Sequence, residues 1–359
     1  MKRIFITGAA GLIGGEITAR FRDRGHAVTA MVHRNPELRS NHNAVIATAP
    51  WVAGSHVPGL VQLITGDVSH AQFGWDDATW AAIGADHDLL IHSAATVRFD
   101  LSYDECAAVN VEGTRGALEL AACGDMAFLQ ISTAYVCGTA EGAVFEVDAR
   151  ADATFANSYE ACKAAAEVLV RESGLDHAIA RPSIVVGDSK SGAIRQFDTI
   201  YAALRLIAEG RVTRMPARDT ASLDFVPIDH VARGIVAIAE AIERARGGIY
   251  HLVAQRALSI PDFFATLDGY QFFKRPKMIA PEAFEAGALS PLERRVFGRL
   301  LEPYVGYFQR SPRFNDDRLR ALTGLECPPT GATFFKTLVD YCISVGFLGR
   351  DSALQRTSG

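Results

Sequence analysis

Two side chains four residues apart in the middle of the chain are suited to proton transfer. Tyr159 and Lys163 lie in Asn157 to Glu172, a stretch whose pattern predicts a helix, so both face the same side. A free phenol has a pKa of about 10, and a neighbouring ammonium favours the phenolate. Thr133 follows the predicted strand Ala127 to Ile131 and could hold a substrate oxygen beside Tyr159. The set predicts acid–base chemistry at a carbonyl or alcohol.

A glycine-rich turn near the N-terminus is typical of dinucleotide binding. It follows the predicted strand Arg3 to Thr7 and opens the predicted helix Leu12 to Arg24. Glycines there permit a tight turn and let the backbone approach a pyrophosphate, while the helix amides face the anion. The residues expected to bind the cofactor in this turn are Thr7, Gly8, Ala10, Gly11, Leu12, Ile13 and Gly14.

The residues after the second predicted strand favour NADP(H) over NAD(H). About 20 residues after the last glycine of the turn, a fold that prefers NAD carries an acid for the ribose hydroxyls. This chain carries His33 and Arg34 near that point. A guanidinium can pair with the 2′-phosphate of NADP, which a carboxylate would repel. Arg34, with His33 as a second candidate, therefore predicts NADP(H); the alternative is a surface arginine, with cofactor choice set elsewhere.

The ends of the next two predicted strands supply further cofactor contacts. Asp67 can accept a hydrogen bond from the adenine amino group while Val68 packs on the ring, and turn capping by Asp67 is compatible with this role. The following strand ends in Ser93, Ala94 and Ala95, which are small enough to leave room for a dinucleotide. A Tyr-x-x-x-Lys pair alone is common in helices. When the pair follows a glycine-rich turn and these strand ends, in this order along the chain, the combination is specific for a catalytic site that binds a dinucleotide.

Strand-like and helix-like segments alternate over the first two thirds of the chain, which predicts an α/β Rossmann fold with a doubly wound parallel sheet. Besides the elements above, the predicted strands are Ala27 to Val32, Val61 to Thr65, Leu89 to His92, Ala178 to Arg181 and Ile249 to Val253. The other predicted helices are Tyr103 to Cys123, Ile194 to Ala208 and Asp229 to Arg246.

Two regions are expected to divide the chain. Residues 1–255 form the cofactor-binding and catalytic domain, with contributions to substrate binding from about 188–228. Residues 256–359 form a smaller, mostly helical substrate region. The segment 35–59 is long for a connection and reads as an insertion without an assigned role. The phenylalanines of the C-terminal region could line an acyl pocket or pack the core; they are Phe263, Phe264, Phe272, Phe273, Phe284, Phe297, Phe308 and Phe314.

The composition and charge argue against a nucleic-acid-binding, metal-binding or membrane-spanning protein. The formal net charge is -5, which gives no electrostatic reason to expect nucleic acid or an anionic membrane as partner. The six cysteines occur singly, without metal-ligand spacing, so we expect reduced packing residues and no metal; Cys162 is one of them. The stretch from Asn41 to Gly66 lacks formal charge, but its prolines, glycines and polar residues argue against a membrane span. We expect a soluble cytoplasmic enzyme.

The chain resembles the extended short-chain dehydrogenases/reductases across most of Met1 to Val253. The resemblance is carried by TGAAGLIGG, GDVS, HSAA, NVEGTRGALELA, ISTAYVCG, YEACK and RPSIVVGDSKSG. It implies that Thr133 orients the substrate, that Tyr159 exchanges the proton, and that Lys163 binds the nicotinamide ribose and tunes Tyr159. It also implies a proton-relay position at Asn110, and it places Pro182, Ser183 and Ile184 beside the nicotinamide.

Within that superfamily the segments HSAATVRFDLSYDECAAVNVEGT and LDFVPIDHVARGI look most similar to fatty acyl-CoA reductases and thioester reductase domains. This resemblance implies hydride transfer from NADPH to an acyl thioester or the derived aldehyde, with an acyl carrier as a possible partner and a homodimer as a possible assembly. An NADP(H)-dependent ketone or hydroxysteroid-type alcohol oxidoreductase is the alternative enzyme. A noncatalytic dinucleotide sensor is the alternative outside catalysis, although a sensor has no need of Thr133, Tyr159 and Lys163 together.

Overall fold

The computed structural model describes residues 1–150, 152–198 and 200–349, so Ala151, Thr199 and the last ten residues of the predicted substrate region lie outside the described residues. The strands, numbered in chain order, are β1 Arg3–Thr7, β2 Ala27–Val32, β3 Thr48–Pro50, β4 Val61–Thr65, β5 Leu89–His92, β6 Ala127–Ile131, β7 Gly142–Val144, β8 His177–Pro182, β9 Ile184–Val186, β10 Arg214–Pro216, β11 Ser222–Leu223, β12 Phe225–Pro227, β13 Gly248–Leu252, β14 Leu258–Ser259, β15 Lys277–Ile279 and β16 Pro312–Phe314. The α-helices are α1 Leu12–Asp23, α2 Asp77–Asp86, α3 Tyr103–Asn110, α4 Glu112–Cys123, α5 Ser158–Glu172, α6 Ile200–Ala208, α7 Ile228–Glu240, α8 Ile242–Ala245, α9 Ile260–Asp268, α10 Pro291–Val296, α11 Glu302–Val305, α12 Asp317–Thr323 and α13 Ala332–Ser344.

Eight of the strands form one parallel sheet in the order β13-β8-β6-β5-β1-β2-β4-β3. Successive side chains of a strand point to opposite faces, and apolar residues on both faces of this sheet are covered by helices. Ile4 and Ile6 of β1 pack in the layer of α1 and α7, whereas Phe5 packs in the layer of α2, α4 and α5. This arrangement confirms the predicted doubly wound Rossmann fold. The strand order reverses between β1 and β5, where such sheets bind their ligands.

Three predicted helices differ from the structure. The helix predicted over Asp229 to Arg246 is divided at Ala241 into α7 and α8. The helix predicted over Tyr103 to Cys123 is divided at Val111 into α3 and α4, although the Val111 N–H still donates to the Ala107 carbonyl oxygen at 2.9 Å. The Thr114 hydroxyl also donates to the Asn110 carbonyl oxygen at 2.8 Å at this point. The helix predicted from Ile194 begins at Ile200. The Arg195 backbone N–H donates to the Asn41 side chain at 3.2 Å, so it is committed outside any helix.

The insertion 35–59 packs on the first turns of α1 and also supplies β3 at the sheet edge. Its side chains Leu38 and Ile46 are buried. The Asn41 N–H donates to the Glu16 carboxylate of α1 at 2.9 Å. A β-carbon on Gly15 would lie 2.3 Å from the Arg39 carbonyl oxygen, so the two backbones approach closely. The insertion is thereby fixed beside the glycine-rich turn.

The C-terminal part of the chain shares an apolar core with residues from the 188–228 stretch. Four of its eight named phenylalanines are buried in that core and the other four pack against it, which favours the packing interpretation. Short strand pairs also tie this part to earlier residues, as in β11 with β14 and β7 with β16. The boundary at residue 255 stays a prediction. None of the helices in the described part of the chain combines the length and hydropathy that a membrane span requires.

Candidate active site

The glycine-rich turn forms a backbone cradle at the carboxyl end of β1. Gly8 has a φ of +68°, and a β-carbon there would lie 2.5 Å from the Ala94 nitrogen. A β-carbon on Gly14 would lie 2.1 Å from the Gly8 carbonyl oxygen. The N-cap of α1, Gly11, has no side chain to bond the first N–H groups of the helix. The cradle therefore leaves amides free for an anion and fits the diphosphate of a dinucleotide.

Thr7 shapes this cradle through its neighbours. Its hydroxyl lies 2.9 Å from His92 Nδ1 and accepts a hydrogen bond of 3.2 Å from the Ala94 N–H. His92 is fully buried, and burial lowers its pKa to about 3, so the ring is neutral at physiological pH. Thr7 thus joins the ends of β1 and β5. Its contacts position the backbone of the glycine-rich turn and do not leave its hydroxyl directed at a cofactor.

The expected adenosine-binding residues meet at the ends of β2 and β4. His33 Nε2 lies 3.2 Å from Asp67 Oδ2, and Asp67 also accepts bonds from the N–H and hydroxyl of Ser69, at 2.9 and 2.7 Å. Val68, the next residue, is partly buried against the α4 layer. Arg34 is exposed and makes no ion pair or hydrogen bond within the described residues. It remains a free cation where a 2′-phosphate is expected.

A cavity of about 350 Å³ connects the cradle with the predicted catalytic residues. The predicted site residues that line it are Gly11, Leu12, Ile13, Gly14, Ser93, Ala95, Thr133, Tyr159, Pro182, Ser183 and Ile184. The predicted residues that do not line it are Thr7, Gly8, Ala10, His33, Arg34, Asp67, Val68, Ala94, Asn110 and Lys163. Proton-transfer groups and the cofactor cradle thus share one space, as a hydride transfer requires.

Tyr159 enters this cavity from the first turn of α5. The helix begins at Ser158 because the Asn157 side chain accepts the Glu160 N–H at 2.9 Å. Burial raises the pKa of Tyr159 well above its ordinary value, and the Thr133 side chain, as a hydrogen-bonding partner, acts in the opposite direction. We expected Lys163 to lower this pKa, but desolvation dominates in the structure. Tyr159 is therefore a neutral phenol, suited to donate a proton.

Lys163 lies one turn further along α5. Its ammonium is buried and donates a hydrogen bond of 2.6 Å to the carbonyl oxygen of Ile131, at the end of β6. Burial lowers the pKa of Lys163 to about 8, and Glu167 opposes this shift. Cys162, between the two predicted catalytic residues, is buried, and burial raises its pKa to about 12, so it is not a thiolate nucleophile.

The lowered pKa of Lys163 predicts an alkaline limit to reduction. Below about pH 8 Lys163 is protonated, and above it the ammonium that the family resemblance assigns to tuning Tyr159 is lost. Because the folded pKa lies below that of a free lysine, the fall begins well before pH 10.4, the ordinary value. We expect the rate of reduction to decline as the pH rises through about 8. The measurement is kcat from pH 6 to 10, and a rate that stays flat up to pH 10 would contradict it.

Asn110 supports the wall of the cavity. Its side chain accepts the Thr96 N–H at 2.8 Å and donates to the Thr96 carbonyl oxygen at 2.9 Å. These bonds fix the loop that carries Ser93, Ala95 and Phe99 into the cavity. The proton-relay role stays a prediction, since the observed contacts are those of a positioning residue.

An aromatic wall that the sequence did not reveal faces Tyr159. The Phe99 ring centroid lies 5.4 Å from that of Tyr159, 5.3 Å from Tyr304 and 5.9 Å from Tyr307. Tyr304 and Tyr307 come from the C-terminal region, and both line the cavity. None of the eight phenylalanines named above lines it. The wall is assembled from distant segments, so no local pattern could have identified it.

A buried ion pair joins this wall to α5. Arg310 pairs with Glu160, the residue after Tyr159, and donates to the Gly138 carbonyl oxygen at 2.6 Å. Its guanidinium lies 4.8 Å from the ring centroid of Tyr135 and 4.7 Å from that of Tyr307. Both rings make cation–π contacts with the guanidinium, and they also contact each other with their centroids 4.8 Å apart.

Loss of this pair is expected to destabilise the protein strongly. Arg310→Met leaves the Glu160 carboxylate buried and uncompensated, which typically costs about 3–5 kcal/mol of the free energy of unfolding. Denaturant unfolding measures the loss, and Arg310→Met with Glu160→Gln should recover part of it. The control is Arg150→Met, which breaks an exposed pair with Asp152 and should change little. An Arg310→Met variant as stable as that control would contradict the assignment.

The described residues contain no cluster of three or more His, Cys, Asp or Glu side chains that could hold a metal ion.

Comparison with known proteins identifies relatives of the chain. The family model described as Male sterility protein, an NAD-binding family, matches residues 6–235. L-2-aminoadipate reductase of Saccharomyces cerevisiae is 28% identical over 261 residues, covering 65% of this chain and 18% of that protein.

A second curated relative and one solved structure are also similar to the chain. Carboxylic acid reductase of Mycobacterium tuberculosis is 26% identical over 268 residues, covering 66% of this chain and 23% of that protein. The chain therefore spans about a fifth of the length of these curated relatives. The crystal structure of the terminal R domain from the myxalamid PKS-NRPS biosynthetic pathway superimposes with a TM-score of 0.80 at 24% identity, covering 97% of this chain and 92% of that one. That similarity shows the same fold.

Proposed function

The chain belongs to the male sterility protein family of extended short-chain dehydrogenases/reductases, and we propose that it is an NADPH-dependent reductase that transfers hydride to an acyl thioester or the derived aldehyde. The observation that carries the proposal is the shared cavity. Tyr159 and Thr133 face the same space as the glycine cradle and the end of β8. A proton donor and a dinucleotide site that open into one cavity suit carbonyl reduction.

In the proposed reaction, different residues of the chain orient the substrate, donate the proton and stabilise the resulting charge. When bound, the reduced nicotinamide supplies the hydride. The Thr133 hydroxyl orients the carbonyl oxygen, and the Tyr159 phenol donates its proton to that oxygen as negative charge develops there. The resulting phenolate is stabilised by the Lys163 ammonium. With a thioester the product of this step is a hemithioacetal, which expels the thiol and leaves an aldehyde; a second round converts the aldehyde to an alcohol.

We further propose that residues 256–349, with part of 188–228, hold the acyl group. Tyr304 and Tyr307 come from the first of these regions, and Gln196 and Ile200 from the second, and all four line the cavity. Apolar and aromatic walls of this kind suit an acyl chain. Coenzyme A or a carrier protein is the proposed source of the thioester, because the similar reductases include an aminoadipate reductase and a carboxylic acid reductase.

Arg34 is proposed to select NADPH. We expect Arg34→Asp to lower the NADPH-to-NADH ratio of kcat/KM roughly 10- to 100-fold, because a charge-assisted bond to the 2′-phosphate is lost and repulsion replaces it. Steady-state kinetics with both cofactors measure the ratio. Arg150→Asp is the control, since Arg150 is exposed and its guanidinium pairs with Asp152. An unchanged ratio would assign the 2′-phosphate to other residues.

Thiol release tests the substrate class. NADPH absorbance and free thiol are followed in parallel with acyl-CoA esters of increasing chain length, carrier-bound acyl groups, and matched aldehydes and ketones. The proposal predicts one thiol for each thioester reduced, appearing with NADPH consumption. If ketones turn over and no thioester on either carrier releases thiol, the enzyme is an alcohol oxidoreductase. If no carbonyl compound is reduced while NADPH binds, the sensor hypothesis replaces the proposal.

A further inference from the structure

We propose that Arg195 is a phosphate-binding residue that holds the diphosphate of the cofactor against the glycine-rich turn, so that residues 188–198 act as a strap across the site. This inference rests on the proposed function only in taking a nicotinamide dinucleotide as the ligand. Neither the glycine motif nor the catalytic motif includes this arginine, which lies far from both in the sequence.

The contacts of Arg195 place its charge at the turn. Its Nη2 donates to the carbonyl oxygens of Ala10 and Gly11, at 3.1 and 2.9 Å. Both residues belong to the turn that precedes α1, and Gly11 is the N-cap of that helix. The next residue after Arg195, Gln196, lines the same cavity as Gly11 and Leu12. An anion accepted by the first amides of α1 would therefore lie beside this guanidinium.

The charge of Arg195 is not neutralised by its surroundings. Within the described residues it forms no ion pair, and Asp198 and Glu16 act on it only at longer range. Its Nε is buried and has no hydrogen-bond partner among them. Burial and then the nearby Arg39 lower the pKa of Arg195. A bound anion would satisfy both the open N–H group and the charge.

Arg39, whose charge acts on Arg195, differs from it in having an acidic partner. Arg39 is paired with Glu37 at 2.5 Å and donates to the Asn43 carbonyl oxygen at 2.8 Å. Its charge is therefore compensated by an acidic partner. Of the two, Arg195 is the cation that lacks an acidic partner.

The strap that carries Arg195 is fixed by side chains from several regions. Asn41 of the insertion accepts the Arg195 N–H at 3.2 Å and donates to the Ala193 carbonyl oxygen at 2.8 Å. A β-carbon on Gly192 would lie 2.6 Å from the Thr337 carbonyl oxygen of α13, so the strap also fits closely against the C-terminal part. Ser189 bonds to Asp229 of α7 at 2.9 Å. These contacts hold Arg195 in place and give the insertion a role in building the cofactor site.

Direct binding measurements test the proposal without any turnover. Dissociation constants for NADPH and NADH are measured by calorimetry on Arg195→Met, Arg195→Lys and the wild-type chain. We expect Arg195→Met to weaken both cofactors by the same factor, roughly 10- to 100-fold, because both carry the diphosphate. Arg195→Lys should recover part of the loss, since it restores the charge without the planar fork. Arg211→Met, which removes an exposed arginine paired with Glu209, is the control.

Several outcomes would overturn the proposal. Unchanged dissociation constants in Arg195→Met, with thermal unfolding like the wild type, would exclude a diphosphate contact. A loss confined to NADPH would move the arginine to the 2′-phosphate. Unchanged cofactor binding with a raised KM for acyl-CoA would assign it to a phosphate of the substrate. If Arg195→Met unfolds, Arg195→Lys decides: wild-type thermal unfolding with equally weakened NADPH and NADH supports the proposal, and unchanged affinity overturns it. Failure of thioester reduction would leave these binding results intact, so the two proposals fail separately.

Discussion

Tyr159→Phe is expected to lower turnover by roughly two to four orders of magnitude, about 3 to 5 kcal/mol of transition-state stabilisation, while NADPH binding stays nearly intact. The reason is that the phenol is the proposed proton donor and lines one cavity with Thr133 and the cofactor cradle. Phenylalanine keeps the ring against Phe99 and removes only the hydroxyl, so packing should survive. Turnover is measured at saturating cofactor, and the dissociation constant of NADPH is measured separately.

Tyr304→Phe is the matched control for this prediction. Tyr304 lines the same cavity and contacts the same Phe99 ring, but its hydroxyl has no assigned role in proton transfer. We expect its turnover to stay within a few fold of the wild type. Near wild-type turnover in Tyr159→Phe would remove Tyr159 from the mechanism, and equal losses in both variants would reduce its role to shaping the cavity.

Lys163→Met is expected to impair both turnover and cofactor binding while raising thermal stability at neutral pH. Turnover should fall by at least about 100-fold, because in the proposed mechanism Lys163 stabilises the Tyr159 phenolate and binds the cofactor ribose. The stability gain follows from the sign of the pKa shift. The folded pKa of about 8 lies below the ordinary value of a lysine. At pH values below about 8 the buried ammonium therefore lowers the free energy of unfolding. An apolar side chain of similar length removes that cost.

Melting temperatures at pH 7 and pH 9.5 check this account together with the kinetics. The wild type should gain stability relative to Lys163→Met as the pH rises through about 8, because the buried ammonium is then neutral. Loss of turnover together with an equal loss of stability at both pH values would mean that Lys163 serves only to pack α5 against β6.

The sheet and the cofactor cradle could be predicted from local sequence. The bounds of β1, β2, β4, β5 and β6 match the prediction because each is a short apolar run flanked by turn residues. The glycine turn, the Thr133 strand end and Tyr159 lie in different segments. Parallel strands bring their carboxyl ends to one edge of the sheet, so their meeting at one cavity followed from the fold.

The remainder of the site depends on contacts between distant segments. Phe99 meets Tyr304 and Tyr307 from the far end of the chain, and Arg195 reaches the glycine turn across some 180 positions of sequence. The apolar spacing after Ile194 imitates a helix, but side-chain bonds to Asn41 hold the segment open. The direction of the Tyr159 pKa shift depends on burial, which a Tyr-x-x-x-Lys spacing does not report.

Isotope transfer from cofactor to product tests the central claim most directly. NADPH carrying deuterium at the transferable C4 position is incubated with an acyl thioester, and the products are analysed by mass spectrometry, with Tyr159→Phe as the background. Hydride transfer to the acyl carbon predicts one deuterium in the aldehyde and two in the alcohol, all on the former carbonyl carbon. Aldehyde or alcohol formed without deuterium at that carbon would contradict the account.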